Sequence, residues 1–183
     1  MLTDASSRTC WIADHATSVP LRPSDVATLS WRLDAVLAAE LDQAQVALGC
    51  TADEILLAAL GRAVARTIGD GMLAVDVAMT DGQSRRVAVP CVSQRGLSGS
   101  ELLAAARSDA AKGSESANAD VGFRYGRAGI ATRGRHPLAV GVHRESAGGL
   151  RVGWSFDVRS FDDYTVEELA AQFPLALIEV TSG

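Results

Sequence analysis

The chain has 183 residues, enough for one domain, or one large subdomain, with its own core. Hydrophobic residues make up 48% and charged residues 21%, which excludes a disordered chain. The net charge of −5 leaves no electrostatic footprint for nucleic acid or an anionic membrane, and no apolar run approaches the ~20 residues of a membrane span.

Residues 1–27 are polar and irregular, with Pro20 and Pro23 close together. Trp11 and Ile12 are isolated apolar residues there, expected to dock this tail against the body. His15, beside Asp14, reads as a surface histidine. Met1-Leu-Thr-Asp-Ala-Ser-Ser lacks the basic-then-apolar pattern of a signal peptide. The three cysteines, Cys10, Cys50 and Cys91, are scattered and have no Cys-x-x-Cys spacing. They read as reduced thiols of a cytoplasmic protein, with neither a disulfide framework nor a zinc site.

Residues 28–33 alternate as a strand, and Asp34 is placed to cap the helix that follows. Val36, Leu37, Leu41, Ala44 and Leu48 recur at helical spacing, and Gly49 is a natural stop. Thr51 and Glu54 have capping-box spacing at the head of a second helix, through Ile68, that is apolar on most of its circumference and so largely buried. Residues 72–79 form a nearly continuous apolar run, as in a central strand. A turn at Thr80-Asp-Gly-Gln-Ser84 leads to a strand over 86–92, where Pro90 predicts an edge or a bulge. Ser98 and Glu101 form another capping box for a helix reaching Lys112. A loop over 113–119, a strand over 120–125 and a mobile glycine- and arginine-rich stretch over 126–135 follow. Residues 138–145 and 150–157 form a hairpin joined by Ser146-Ala-Gly-Gly149. Thr165 and Glu168 suggest a capping box for the last helix, which Pro174 is expected to kink or end near Phe173. Helices interleaved with strands predict an α/β fold, a two-layer sandwich with a mixed β-sheet packed by helices. Residues 1–27 would be an irregular N-terminal segment and 28–183 a single subdomain.

Particular stretches carry a family likeness. Leu150-Arg-Val-Gly-Trp-Ser-Phe-Asp157, a short polar loop and Thr165-Val-Glu-Glu-Leu-Ala-Ala-Gln-Phe173 resemble the end of the condensation and epimerisation domains of non-ribosomal peptide synthetases. Glu54-Ile-Leu-Leu-Ala-Ala-Leu60 resembles the helix that opens the second subdomain of those proteins, although a plain core helix has the same periodicity. The resemblance implies a chloramphenicol-acetyltransferase-like half domain, specifically the C-terminal subdomain. Val75-Asp-Val-Ala-Met-Thr-Asp-Gly-Gln-Ser-Arg85 is similar to the Val-Asp-Val-Glu-Gly-His-Gly-Arg stretch of epimerisation domains, but Ala78 stands where the acid/base glutamate would be. The His-His-x-x-x-Asp-Gly signature of condensation-type enzymes is absent, since none of the three histidines is adjacent to another.

Asp120-Val-Gly-Phe-Arg-Tyr-Gly126 resembles the family's Phe-Asn-Tyr-Leu-Gly stretch near the active-site tunnel, with Arg124 in place of the asparagine. Arg124 and Tyr125 are the candidate substrate-binding residues, suited to a phosphate or carboxylate. The alternative is a solvent-facing arginine beside a core tyrosine. His143 shares a strand face with Gly141, opposite Val140 and Val142. It is the candidate catalytic residue, against a reading as a solvent-facing or hydrogen-bonded histidine. No metal site is expected, for want of a second ligand at suitable spacing, and no cofactor. No Gly-x-Ser-x-Gly elbow or phosphate-binding loop occurs.

The resemblance therefore implies a half domain of non-ribosomal peptide or related acyl biosynthesis that is non-catalytic alone. Its partners would be a carrier protein with a phosphopantetheine-linked acyl group, an acyl ligand or a partner synthetase subunit, with no nucleic acid and no membrane. An apolar exposed face would favour a homodimer. The alternative is an acyl or aminoacyl transferase, or an amide-forming enzyme, whose site is completed by dimerisation or by a partner chain.

Overall fold

The computed structural model describes residues 10–94, 98–101, 103–104, 118–126 and 135–182. Six strands, β1 (Val26–Leu33), β2 (Gly71–Ala78), β3 (Ser84–Cys91), β4 (Val121–Tyr125), β5 (Leu138–Arg144) and β6 (Leu150–Asp157), form one sheet in the order β1-β6-β5-β4-β2-β3. Strand β4 runs parallel to both β2 and β5, and the other neighbours are antiparallel. Helices α1 (Ala35–Leu48), α2 (Ala52–Thr67) and α3 (Asp163–Thr181) pack on one face of it. The mixed sheet under a helical layer is the α/β sandwich that the sequence predicts. Among the described residues no single helix is long and apolar enough to cross a membrane.

Alternation decides which face the helices cover. Leu150, Val152, Trp154 and Phe156 of β6 are buried in the core, as are Leu138, Val140 and Val142 of β5. The Trp154 ring meets Phe173 of α3 edge to face, with centroids 5.9 Å apart. Helix α2 lies deepest, with Ile55, Leu56, Ala59, Leu60, Ala63 and Val64 all fully buried. It presses close to β3 at Gly61, where a Cβ would come within 2.5 Å of the Pro90 carbonyl oxygen. Pro90 itself sits on an edge strand, where its missing N–H costs no ladder bond.

The helix starts follow the local chemistry. Asp34 Oδ1 accepts from the Leu37 N–H at 2.9 Å, and Gly49 closes α1 in the left-handed region at φ 60°. Thr51 and Glu54 form the full capping box of α2. Ser98 and Glu101 exchange the same pair of bonds at a helical turn beginning at Gly99. The expected end of that helix at Lys112, and most of the stretches 113–119 and 126–135, lie outside the described residues.

Two expectations for α3 are corrected. Thr165 and Glu168 do not form a capping box: the N-cap is Asp162, which makes no capping bond of its own. Asp14 supplies the acceptors instead, taking the Asp162 N–H at 2.9 Å and the Thr165 hydroxyl at 3.0 Å. His15 Nε2 lies 3.0 Å from Asp162 Oδ1, and Ile12 is buried at 1% exposure, so the N-terminal segment docks on the helix start. Nor does α3 end at Pro174; it continues to Thr181. A proline removes one helical bond, but beyond it Ala176, Leu177 and Val180 are fully buried. Glu179, on the same stretch, grips Arg62 of α2 through both carboxylate oxygens, at 2.9 and 3.1 Å. That packing outweighs the lost bond.

Arg62 is 1% exposed, and its remaining donors reach the Val92 and Gln94 carbonyls. Arg66 adds a second cation at 2.7 Å from Glu179. The hydrogen bonds from Arg62 hold the Glu179 carboxyl below the usual carboxylate range, against the opposing effect of burial.

Candidate functional site

Over β5, β6 and β1 the face of the sheet away from the helices carries small, polar and charged side chains. Register arranges nine of them as a grid across β5, β6 and β1. One row is His143, Arg151 and Arg32; the next is Gly141, Gly153 and Ser30; the third is Ala139, Ser155 and Thr28. Glycines in the middle row leave a groove of about 270 Å³, bordered by Thr28, Ser30, His143 and Arg151 and reaching Leu29. At one end Glu145 holds the two arginines. Its Oε2 accepts from Arg32 Nε at 2.8 Å and its Oε1 from Arg151 Nε at 2.7 Å. The two arginines keep the Glu145 carboxyl below its ordinary range. Arg151 also donates through NH1 to Ser30 Oγ at 3.2 Å. Along β5, β6 and β1 the open face therefore carries hydroxyls, glycines and charged groups.

The structure separates the three candidate residues. His143 borders the groove on the side opposite Val140 and Val142, as its strand position implies. Arg124 pairs with Gly141 in register and so lies on the same face as His143. Tyr125 pairs with Val142, points to the helical side and packs against the core. Its hydroxyl accepts from Arg144 Nε at 3.3 Å, and Arg144 also pairs with Asp42 of α1. Arg124 and Tyr125 therefore do not line one pocket.

A second cleft, of about 300 Å³, lies where β4 and β5 begin and β6 ends, closed on one side by residues 13–21. It contains a residue that reading the sequence does not single out. His136 Nε2 sits 2.8 Å from Asp76 Oδ2, with the imidazole only 7% exposed. Asp76 also accepts from Arg86, its register partner on β3. Burial works to raise the Asp76 pKa, but bonds from Arg86 and His136 bring it below the ordinary carboxylate value. The signal for this cluster was a lone aspartate inside the apolar run of β2. Its partners stand ten and sixty residues away, and only the register joins them.

Neither Cys10 nor Asp157 is a ready nucleophile in this cleft. Burial, with the Asp120 charge adding to it, pushes the Cys10 thiol up to about 12. Asp157, also in the cleft, is occupied by a fork from Arg159, at 2.9 and 2.8 Å. Cys91 is buried in the core, and burial raises it likewise to about 12. Among the described residues no group of His, Cys, Asp and Glu side chains is arranged to hold a metal ion.

No family model matches the sequence. Polyketide synthase subunits E for phenolphthiocerol and phthiocerol, from Mycobacterium tuberculosis and Mycobacterium bovis, are 34% identical over 98 residues. That match covers 51% of this chain and 6% of each synthase. Solved structures match over far more of the chain. The epimerization domain from the third module of tyrocidine synthetase B superposes with a TM-score of 0.74 at 14% identity, over 93% of this chain and 50% of that one. The X-domain from teicoplanin biosynthesis gives 0.68 at 17% identity, over 93% and 50%. The condensation domain of the monacolin K polyketide synthase gives 0.67 at 13% identity, over 100% and 55%. This chain spans about half the length of each of these structural relatives. It has the fold of one half of the condensation and epimerisation domains of non-ribosomal peptide synthetases.

Proposed function

We propose that this chain is the C-terminal half of a condensation- or epimerisation-like domain of non-ribosomal peptide or related acyl biosynthesis, and that it catalyses no transfer by itself. One observation carries the reading: the chain has three histidines, none adjacent to another, and among the described residues no carboxylate lines the groove that His143 borders. His15 and His136 are held by Asp162 and Asp76. A general base needs reach to the reacting proton and a group that orients it, and among the described residues the groove that His143 borders is lined by Thr28, Leu29, Ser30, Gly141, Arg151 and Gly153.

In this role the chain binds an acyl ligand, a carrier protein with a phosphopantetheine-linked acyl group, or a partner synthetase subunit. Pairing with a second copy would be another way to supply the missing half. The 50% coverage of two-lobed relatives supports this, as does a relative of the same fold, the teicoplanin X-domain, which was solved in complex with OxyB. The test mixes the purified chain with an acyl-loaded carrier protein in analytical ultracentrifugation, beside an amide-formation assay. Complex formation without product is expected. Multiple turnovers by the chain alone would overturn the proposal.

His143 at the groove favours a second reading, in which dimerisation or a partner chain completes an acyl- or aminoacyl-transfer site. If an assembled complex transfers acyl groups and His143→Ala leaves the rate unchanged, that reading is lost.

A further inference from the structure

We infer that the groove on the open face takes the carboxylate end of a short acyl acid. The inference rests on the acyl-ligand reading above and names the chemistry that the groove selects.

The donors converge. Ser30 Oγ accepts from Arg151 NH1 at 3.2 Å, which leaves the serine O–H available as a donor. Thr28 supplies a second hydroxyl, two residues along the same strand face. His143 adds a ring N–H from the opposite wall, next to Arg151 in register. No aspartate or glutamate lines the groove among the described residues. A site with hydroxyls on one side, an imidazole and a guanidinium on the other and, among the described residues, no anionic acceptor suits an oxyanion, and the glycines and Leu29 that complete its lining suit a short apolar chain.

Charge and size narrow the class. Arg32 and Arg151 share the single carboxylate of Glu145, so the cluster keeps one net positive charge. One monoanion balances it; a phosphate dianion would leave an excess negative charge beside Glu145. About 270 Å³ is at the lower end of ligand-site volumes, enough for a short chain but not a large ring system. Gly141 and Gly153 form the floor, over which a narrow methylene chain can lie against backbone.

The test is an NMR titration of the intact chain with hexanoate, with the isosteric neutral hexanamide and with inorganic phosphate, following the His143 imidazole and Arg151 Nε resonances. Hexanoate should shift both and saturate, with hexanamide and phosphate at least tenfold weaker. Ser30→Ala, which leaves the Glu145 ion pairs in place, should weaken hexanoate severalfold, and Arg151→Gln at least tenfold. Should Arg151→Gln fail to fold, Ser30→Ala and the amide comparison still decide. Equal binding of the amide, tighter binding of phosphate, or no binding of hexanoate overturns the inference. Turnover by the chain alone would instead remove the proposed function and leave this binding result standing.

Discussion

The two faces of the sheet are built by the same strands and differ in almost every physical respect. On β6, Leu150, Val152, Trp154 and Phe156 are sealed under the helices, while Arg151, Gly153 and Ser155 alternate with them on the other side. The covered face is held by close packing, where each removed group leaves a cavity. The open face is held by hydrogen bonds and ion pairs such as Glu145 with Arg32 and Arg151, and it leaves a groove unfilled. Close packing is thus concentrated on one face, and an unfilled groove lies on the other.

The contrast is tested most severely at Trp154. Trp154→Ala should cost about 3–5 kcal/mol in urea unfolding, since the ring is fully buried against Phe173. A loss under about 1 kcal/mol would mean that the covered face is not the main source of stability.

The joint between α2 and α3 comes next. Glu179→Gln leaves Arg62 buried with a weaker partner and should cost about 2 kcal/mol. Arg62→Met, which removes the buried charge altogether, should cost less in the same measurement. The pH dependence sharpens this point. Glu179, Asp157 and Asp76 all have folded-state pKa values below their ordinary ones. Their contribution is complete above the unfolded carboxylate value of about 4, and it is lost as pH falls through the lower folded values. Thermal melts should therefore be flat near neutral pH and drop steeply below about pH 4. In the Glu179→Gln variant that drop should be shallower.

Asp14→Ala should cost about 1 kcal/mol, the usual value of a helix cap, read from the unfolding midpoint. The smallest effect belongs to the open face: His143→Ala should change stability by no more than about 0.5 kcal/mol. A larger loss would place His143 in the scaffold and weaken the contrast between the faces.

Much of this architecture was legible in the sequence because its causes are local. The alternation of 150–157, the caps at Asp34, Thr51 and Ser98 and the positive-φ glycines at 49 and 148 act within a few residues. The misreadings were non-local. Pro174 reads as a kink or an end near Phe173, but burial of Leu177 and Val180 carries the helix past it. Thr165 reads as half of a capping box, but Asp14, 151 residues away, takes its hydroxyl. The site was less legible than the fold for the same reason. His143 was placed on its face by alternation, whereas its meeting with Arg151 and Ser30 needed the β1–β6–β5 register. The His136–Asp76 pair is joined across three strands of the sheet, and no spacing in the chain announces it.

The central claim is that this half of the fold does not move a proton between substrates by itself. A single-turnover assay tests it directly, with the purified chain, an aminoacyl-pantetheine thioester and an amine acceptor, read by product mass. The account predicts product at no more than the uncatalysed rate, unchanged by His143→Ala or His136→Ala. Amide or epimerised product well above that rate, abolished by either substitution, would contradict it.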